Sequence, residues 1–344
     1  MSVKLYVVDL KKEHERRNHG MYSSFLLHHI RSCLEKEEQA IMFLNKRGHS
    51  PSLTCKECGN AIFCNHCDIS LSLHKHPKNN SSFLLCHYCG TIKPIPTICP
   101  TCQSTKLQFY GAGTQKAEEE LKVLFPNARI KRMDQDTTGT KHAHSSMYQD
   151  MRDGKIDVLI GTQIVAKGLD IPHVTLVGVL NADVGLQIPD FRATERTYQL
   201  LSQVMGRVGR RGQGGTVIVQ TMVPDNLVIQ AALSGDYEGF YETVIDERRK
   251  FQYPPFTQLV KCTFVHHVQT KAYQVAQEKF VQMKEKVKEK NRTIEVFLAP
   301  ALVVKQHDKY HYHVLLKGQN VQEFIAGEKF PSGWRIDVDP VDMG

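Results

Sequence analysis

The sequence has no apolar run near the ~18 residues that a membrane-spanning helix needs. Its opening, MSVKLYVVDLKKEHERRNHG, lacks the apolar stretch and the small-residue cleavage site of a secretory signal. There is no low-complexity tract, and no internal repeat apart from pairs of cysteines. These absences argue against membrane-spanning and secreted classes. They predict a cytoplasmic protein, in which thiols stay reduced and paired cysteines more often hold metal than form disulfides.

What is present is an ordinary globular composition. The chain has 344 residues, 41% hydrophobic and 23% charged. That length exceeds what one core usually serves, so two or three domains are expected. The formal net charge is +8, with 17 histidines able to add more in an acidic setting. Such a surplus favours a polyanionic partner without specifying one.

Eight of the ten cysteines form four C-x-x-C pairs: Cys55/Cys58, Cys64/Cys67, Cys86/Cys89 and Cys99/Cys102. Each such turn offers two thiolates to one ion, and Zn²⁺ takes four ligands tetrahedrally. Eight thiolates therefore predict two closed, structural zinc sites. The alternatives are an Fe–S cluster, possible for a Cys₄ set, or no metal at all, but knuckles of this kind fit zinc ribbons better. The pairs could couple sequentially, crossed or nested. The segment leaves and re-enters a sheet, so its ends should lie close, which favours nesting. Cys55, Cys58, Cys99 and Cys102 then share one ion, and Cys64, Cys67, Cys86 and Cys89 the other. With eight thiolates available, His66, His74, His76 and His87 are expected as surface donors. The segment is poor in apolar runs, so a small core is expected, with metal binding contributing folding free energy. Cys33 and Cys262 stand alone and read as buried, inert thiols.

Around the cysteines the pattern is α/β. Residues 21–38 carry Phe25, Leu26, Ile30 and Leu34 at helical spacing. QAIMFL (39–44), IKRM (130–133), DVLI (157–160), VTLVGVL (174–180) and TVIVQT (216–221) suit strands buried on both faces. KLQFY (106–110) reads as the strand with which this pattern resumes, and residues 115–125 and 142–153 as helices. Alternating strands and helices predict a doubly wound parallel sheet over 1–54 and 103–235, interrupted by an insert over 55–102. A linker helix over 236–257 breaks at Tyr253-Pro254-Pro255. A small α+β domain over 258–344 follows, in the order strand (259–266), helix (270–290), strands (294–298, 311–317), helix (320–328) and strand (334–338).

Two stretches carry more specific chemistry. The first is Gly161-Thr162-Gln163-Ile164-Val165-Ala166-Lys167-Gly168-Leu169-Asp170. The second is Gln203-Val204-Met205-Gly206-Arg207-Val208-Gly209-Arg210, closing a helix. Guanidinium groups are always charged and fork-shaped, so they can clamp a phosphate and stabilise charge that develops in phosphoryl transfer. Thr162 and Gln163 at a strand end offer short donors suited to a nucleic-acid phosphate. The pair of stretches resembles motifs V and VI of superfamily 2 helicases.

The likeness narrows when more segments are taken in order. FLNKRGHSP (43–51), the four cysteine pairs, GAGTQKAEEEL (111–121), RMDQDTT (132–138), GTQIVAKG (161–168), PDFRATER (189–196), QVMGRVGR (203–210), DERRKFQYPPF (246–256) and WRIDVDPVDM (334–343) together resemble the PriA family of replication-restart primosomal helicases. That resemblance implies a RecA-like second helicase lobe with a two-zinc insert and an α+β C-terminal domain. It implies ATP-driven 3′→5′ DNA unwinding in replication restart and primosome assembly, with Mg²⁺-ATP as substrate. The implied partners are forked and single-stranded DNA, single-stranded-DNA-binding protein and other primosome proteins. Within it, Arg207 and Arg210 correspond to arginine fingers. Gly168, Asp170, Gln203 and Gly206 line the nucleotide side of an interlobe cleft, and Thr162, Gln163 and Lys167 touch the translocated strand. No G-x-x-x-x-G-K-[ST] and no D-E-x-H occur. The first motor lobe is therefore expected to be missing from these residues, and the chain alone to be inactive. A non-catalytic scaffold that binds DNA and protein is the rival expectation. Asp134, Asp136, Asp190, Arg192, Glu195 and Arg196 read first as internal salt links.

Overall fold

The computed structural model describes residues 3–44, 52–75, 81–110, 113–133, 141–162, 173–206 and 214–341. Three sheets organise them. The first is a six-stranded, wholly parallel sheet built from β1 (Val3–Asp9), β2 (Gln39–Phe43), β8 (Ile130–Met133), β9 (Val158–Gly161), β10 (Val174–Val179) and β11 (Gly215–Thr221). Its spatial order is β1-β11-β10-β2-β9-β8. All five residues of β2 and all four of β9 are buried, which is why these strands read as continuous apolar runs. β1 has a mixed pattern with exposed Leu5 and Tyr6, the signature of an edge strand, and the sequence pattern had not marked it. Helix Ser24–Glu35 packs Leu26 and Ile30 on one face of the sheet. On the other face, Ala193–Met205 packs Leu201 and Val204, with Leu227–Ser234 and Tyr237–Lys250 beside it.

The second sheet is antiparallel and surrounds the cysteines. Its strands β3 (Ser52–Cys55), β4 (Ser72–Lys75), β5 (Ser82–Leu85), β6 (Ile92–Lys93) and β7 (Leu107–Tyr110) lie in the order β6-β5-β4-β3-β7. β7 departs from expectation. It does not resume the parallel sheet but pairs with β3, from Cys55 against Leu107 to Ser52 against Tyr110. The segment also has more core than its composition suggests. Leu53, Ile62, Ile69, Leu71, Leu84 and Tyr88 are all buried. They join Phe191, Tyr253, Leu259 and Leu315 from outside the segment, so the insert borrows apolar partners from both of its neighbours. Full burial of one such side chain contributes about 1.5–3 kcal/mol.

The third sheet is antiparallel, with β12 (Gln258–His266), β13 (Ile294–Gln306), β14 (Lys309–Gly318) and β15 (Trp334–Val338) in the order β13-β14-β12-β15. Helices Gln269–Glu289 and Val321–Ala326 cover one face through Ala276, Met283, Val321 and Phe324. This βαββαβ order follows the sequence closely, because strand and helix periodicities are both clean there. No helix among the described residues is long and apolar enough to cross a membrane.

Candidate metal centres and the two edges of the parallel sheet

The four C-x-x-C turns have the same backbone. In each, the residue after the second cysteine donates its N–H to the carbonyl of the first: Gly59 to Cys55, Asp68 to Cys64, Gly90 to Cys86 and Gln103 to Cys99, at 2.9–3.0 Å. Each of those four residues has positive φ, between 52° and 78°. In return, the first cysteine of each turn donates its own N–H one residue further on, to Asn60, Ile69, Thr91 and Ser104. The reversal aims both thiols of a pair to the same side.

The turns combine in two groups of four. Cys55, Cys58, Cys99 and Cys102 form an outer cluster, and Cys64, Cys67, Cys86 and Cys89 an inner one; within each, the sulfurs lie within 4.8 Å of one another. This is the nested grouping. The sulfur–sulfur distances are 3.5 Å for Cys55–Cys102, 3.7 Å for Cys58–Cys99 and 3.5 Å for Cys64–Cys89. Four thiolates at ~2.3 Å from a tetrahedral ion stand about 3.8 Å apart, so both donor sets fit a metal ion of that kind. Hydrogen bonds from Cys67 and Cys86 bring the Cys64 thiol down to about 6. Burial raises Cys99, but the N–H groups of Cys102 and Thr101 bring it to about 7. Within the same clusters burial raises Cys58 to about 12, and neighbouring thiols raise Cys67 and Cys86, so the cluster thiols are not uniformly lowered. Burial also raises the lone thiols, Cys33 to about 11 and Cys262 to about 12, which keeps them protonated and inert.

The outer cluster is tied to the parallel sheet. A Cβ on Gly59 would meet the Met222 Cβ, just past β11, at 2.4 Å. Gln187 accepts from Ser52 Oγ and Ser70 Oγ through its carbonyl and from Thr54 Oγ1 through Oε1, and donates to the Gly59 carbonyl. The inner cluster is tied to the third sheet. A Cβ on Gly90 would lie 2.9 Å from the Leu298 carbonyl oxygen. His87 is buried, with Nδ1 2.9 Å from the Pro300 carbonyl oxygen and Nε2 3.1 Å from His74 Nε2. Burial lowers His87 to about 3 and His74 to about 4, so both rings are neutral. His74 and His87 are therefore internal contacts rather than the surface donors expected; His66 is exposed, and His76 lies outside the described residues.

Thr162 directly follows β9 at the C-terminal edge of the parallel sheet and is buried. The insert leaves β2 on that same edge. Helix Ala193–Met205 connects the end of β10 to the start of the parallel strand β11, so it crosses to the opposite edge, carrying Gln203 and Gly206 with it. Both are exposed. The structure thus separates Thr162 from Gln203 and Gly206 rather than gathering them. Gln163, Lys167, Gly168, Asp170, Arg207 and Arg210 lie outside the described residues, as do Asp134 and Asp136. Asp190 pairs with Arg196 at 2.9 Å, and Glu195 with Arg248, so these read as internal links. Gln187 and Tyr88 carry no motif and become visible only through their contacts; Tyr253 lies in the quoted segment 246–256, but its place in the insert's core is visible only in the fold.

A family profile described as Helicase conserved C-terminal domain matches residues 95–212. Replication restart protein PriA of Bacillus subtilis (strain 168) is 42% identical over 320 residues, covering 93% of this chain and 39% of that protein. The chain belongs to the PriA family. A relative of the same name from Chlamydia trachomatis serovar D is 39% identical over 351 residues, covering 98% of this chain and 46% of that protein. The chain thus spans less than half the length of these two PriA relatives. Among solved structures, S. cerevisiae Dbp5 aligns with 73% of this chain and 45% of its own at 15% identity and a TM-score of 0.33. The wholly parallel sheet, the cysteine-clustered insert and the antiparallel C-terminal sheet are the RecA-like lobe, insert and α+β domain that the PriA resemblance implies.

Proposed function

We propose that this chain provides the second motor lobe, zinc module and C-terminal domain of an ATP-dependent 3′→5′ DNA helicase for replication restart and primosome assembly. The observation that carries this reading is near-complete alignment with PriA proteins at about two-fifths identity. Zinc is the ion proposed for both clusters, given eight thiolates at tetrahedral spacing. Mg²⁺-ATP is the substrate of the complete motor, and the proposed site of action is the cytoplasm.

The two sheet edges divide the work. Thr162, followed by Gln163 and Lys167, stands on the edge from which the metal module projects; short donors there suit the phosphates of the translocated strand. Gln203 and Gly206 stand on the other edge; they are assigned, with Gly168 and Asp170, to binding the nucleotide. Arg207 and Arg210 approach the γ-phosphate held by a first lobe and neutralise charge as the phosphoryl group transfers. Forked and single-stranded DNA, single-stranded-DNA-binding protein and other primosome proteins are the proposed partners. Catalysis needs both lobes, so the chain alone is inactive.

The test supplies the first lobe, fused or as a separate polypeptide, and measures DNA-stimulated ATP hydrolysis. Activity is expected to appear, and Arg210→Ala to lower kcat by about 10³-fold or more. Activity that Arg210→Ala leaves intact would remove the arginine-finger role. Fork binding without any hydrolysis would favour a non-catalytic scaffold.

A further inference from the structure

Between the inner cysteine cluster and helix Ala193–Met205 lies a continuous set of buried contacts. Tyr88 sits inside the knuckle Cys86–Cys89 and is fully buried. Its hydroxyl lies 3.4 Å from Asp190 Oδ1, and its ring meets Phe191 edge-on at 6.1 Å. Asp190 is itself buried, accepts from the Arg192 N–H at 2.9 Å, and pairs with Arg196 on the first turn of the helix. Phe191 stacks on Tyr253 at 4.6 Å, and the Tyr253 hydroxyl donates to the Cys67 carbonyl of the same cluster. Arg196 also donates to the Val341 carbonyl, beyond β15. The start of the helix is therefore held by the inner cluster on one side and by the C-terminal segment on the other.

The helix is 13 residues long, so it spans roughly 20 Å as a stiff rod. One end is fixed at the sheet edge shared with the metal module. The other end carries Gln203 and Gly206 and leads into Arg207–Arg210. Among the described residues the outer cluster reaches Met222 through Gly59, and Gln187, three residues before Asp190, through the Gly59 carbonyl; neither contact is with the helix itself.

We infer that the inner cysteine cluster, through Tyr88 and Asp190 as positioning residues, sets the placement of helix Ala193–Met205, whose far end carries Gln203 and Gly206. The two clusters then have different jobs. The outer one closes the insert on the sheet. The inner one is the reference point shared by the helix and the C-terminal domain. Any consequence for catalysis rests on the motor reading above, whereas the linkage of cluster to helix stands apart from it.

The linkage is tested on the whole chain loaded with zinc, by amide hydrogen exchange read with peptides from residues 194–205. Cys89→Ser removes one inner ligand and Cys102→Ser one outer ligand, and each variant is expected to retain about one ion per chain. The inner variant is expected to speed exchange in the helix at least tenfold, and the outer variant to leave it within twofold. Equal exchange in the two variants, slow or fast, would overturn the inference. Tyr88→Leu keeps all eight thiols and guards against misfolding of the first variant. It is expected to keep two ions and speed exchange severalfold, and Tyr88→Phe, which loses only the hydroxyl contact with Asp190, to speed it by a smaller factor. Unchanged exchange in Tyr88→Leu would likewise overturn it. None of these outcomes depends on ATP hydrolysis, so failure here and failure of the motor reading are separable.

Discussion

The Tyr253 hydroxyl donates to the Cys67 carbonyl oxygen at 2.8 Å, joining the residue before Pro254-Pro255 to a metal knuckle far away in sequence. The Tyr253 ring also stacks on Phe191. These two contributions separate by substitution. Tyr253→Phe keeps the ring and leaves one buried carbonyl unpaired, for a loss of about 1–3 kcal/mol. Tyr253→Ala removes the ring as well, for about 3–5 kcal/mol. Urea unfolding of the zinc-loaded chain reads both, and equal losses would show that the stack contributes nothing.

Gly90 and Gly154 have nearly the same backbone, φ +71° and +69°, in different surroundings. A Cβ at Gly154 meets nothing within 4 Å, whereas one at Gly90 meets the Leu298 carbonyl oxygen at 2.9 Å. Gly154→Ala is expected to cost about 1 kcal/mol from the left-handed backbone alone. Gly90→Ala adds displacement of the third sheet and is expected to cost at least about 1 kcal/mol more. Denaturation midpoints measure the difference; identical losses would mean that the inner knuckle does not bear on β13.

Metal analysis after gentle purification is expected to return about two zinc ions per chain. Chelation is expected to loosen the insert while much of the parallel sheet keeps its structure, since that sheet has its own core in Ile41, Leu159, Val177 and Val219. Far-ultraviolet circular dichroism and limited proteolysis follow the change. One ion or none would remove the two-site reading.

Asp183 gives a pH dependence of definite sign. Burial raises its carboxyl to about 6, against hydrogen bonds from Thr221 Oγ1 and the Met222 N–H that favour the charged form. The unfolded value is near 4. The folded state therefore binds the proton more tightly, and this group's contribution is fully present below pH ~4 and lost as pH rises towards about 6. Two units correspond to roughly 3 kcal/mol. Asp183→Asn is expected to remove that decline, so the stability difference between variant and parent should shift in the variant's favour from pH 4 to 6. Comparing the two chains at each pH cancels the opposing effect of thiolate protonation. A difference flat across that range would show that Asp183 titrates normally.

The amino-acid sequence determined the local units. A C-x-x-C turn is closed by bonds between residues four or five apart, so four knuckles and eight candidate ligands were legible from spacing alone. The buried strands QAIMF, VLIG and VTLVGV and the order of the C-terminal domain were equally legible, because side-chain periodicity records which faces are covered. The roles proposed for Thr162, Gln203 and Gly206 come from the PriA resemblance. Tertiary structure decided what depends on partners distant in sequence. It sent β7 to pair with β3, a choice that a short apolar strand does not encode by itself. It buried His87 against Pro300, although a histidine between two cysteines reads as a surface group. It gave the insert a core through Phe191, Tyr253, Leu259 and Leu315, which lie outside it. Above all it made the inner and outer clusters different, since the same local turn meets Met222 at Gly59 and Leu298 at Gly90, and only the packed fold determines which neighbour each knuckle finds.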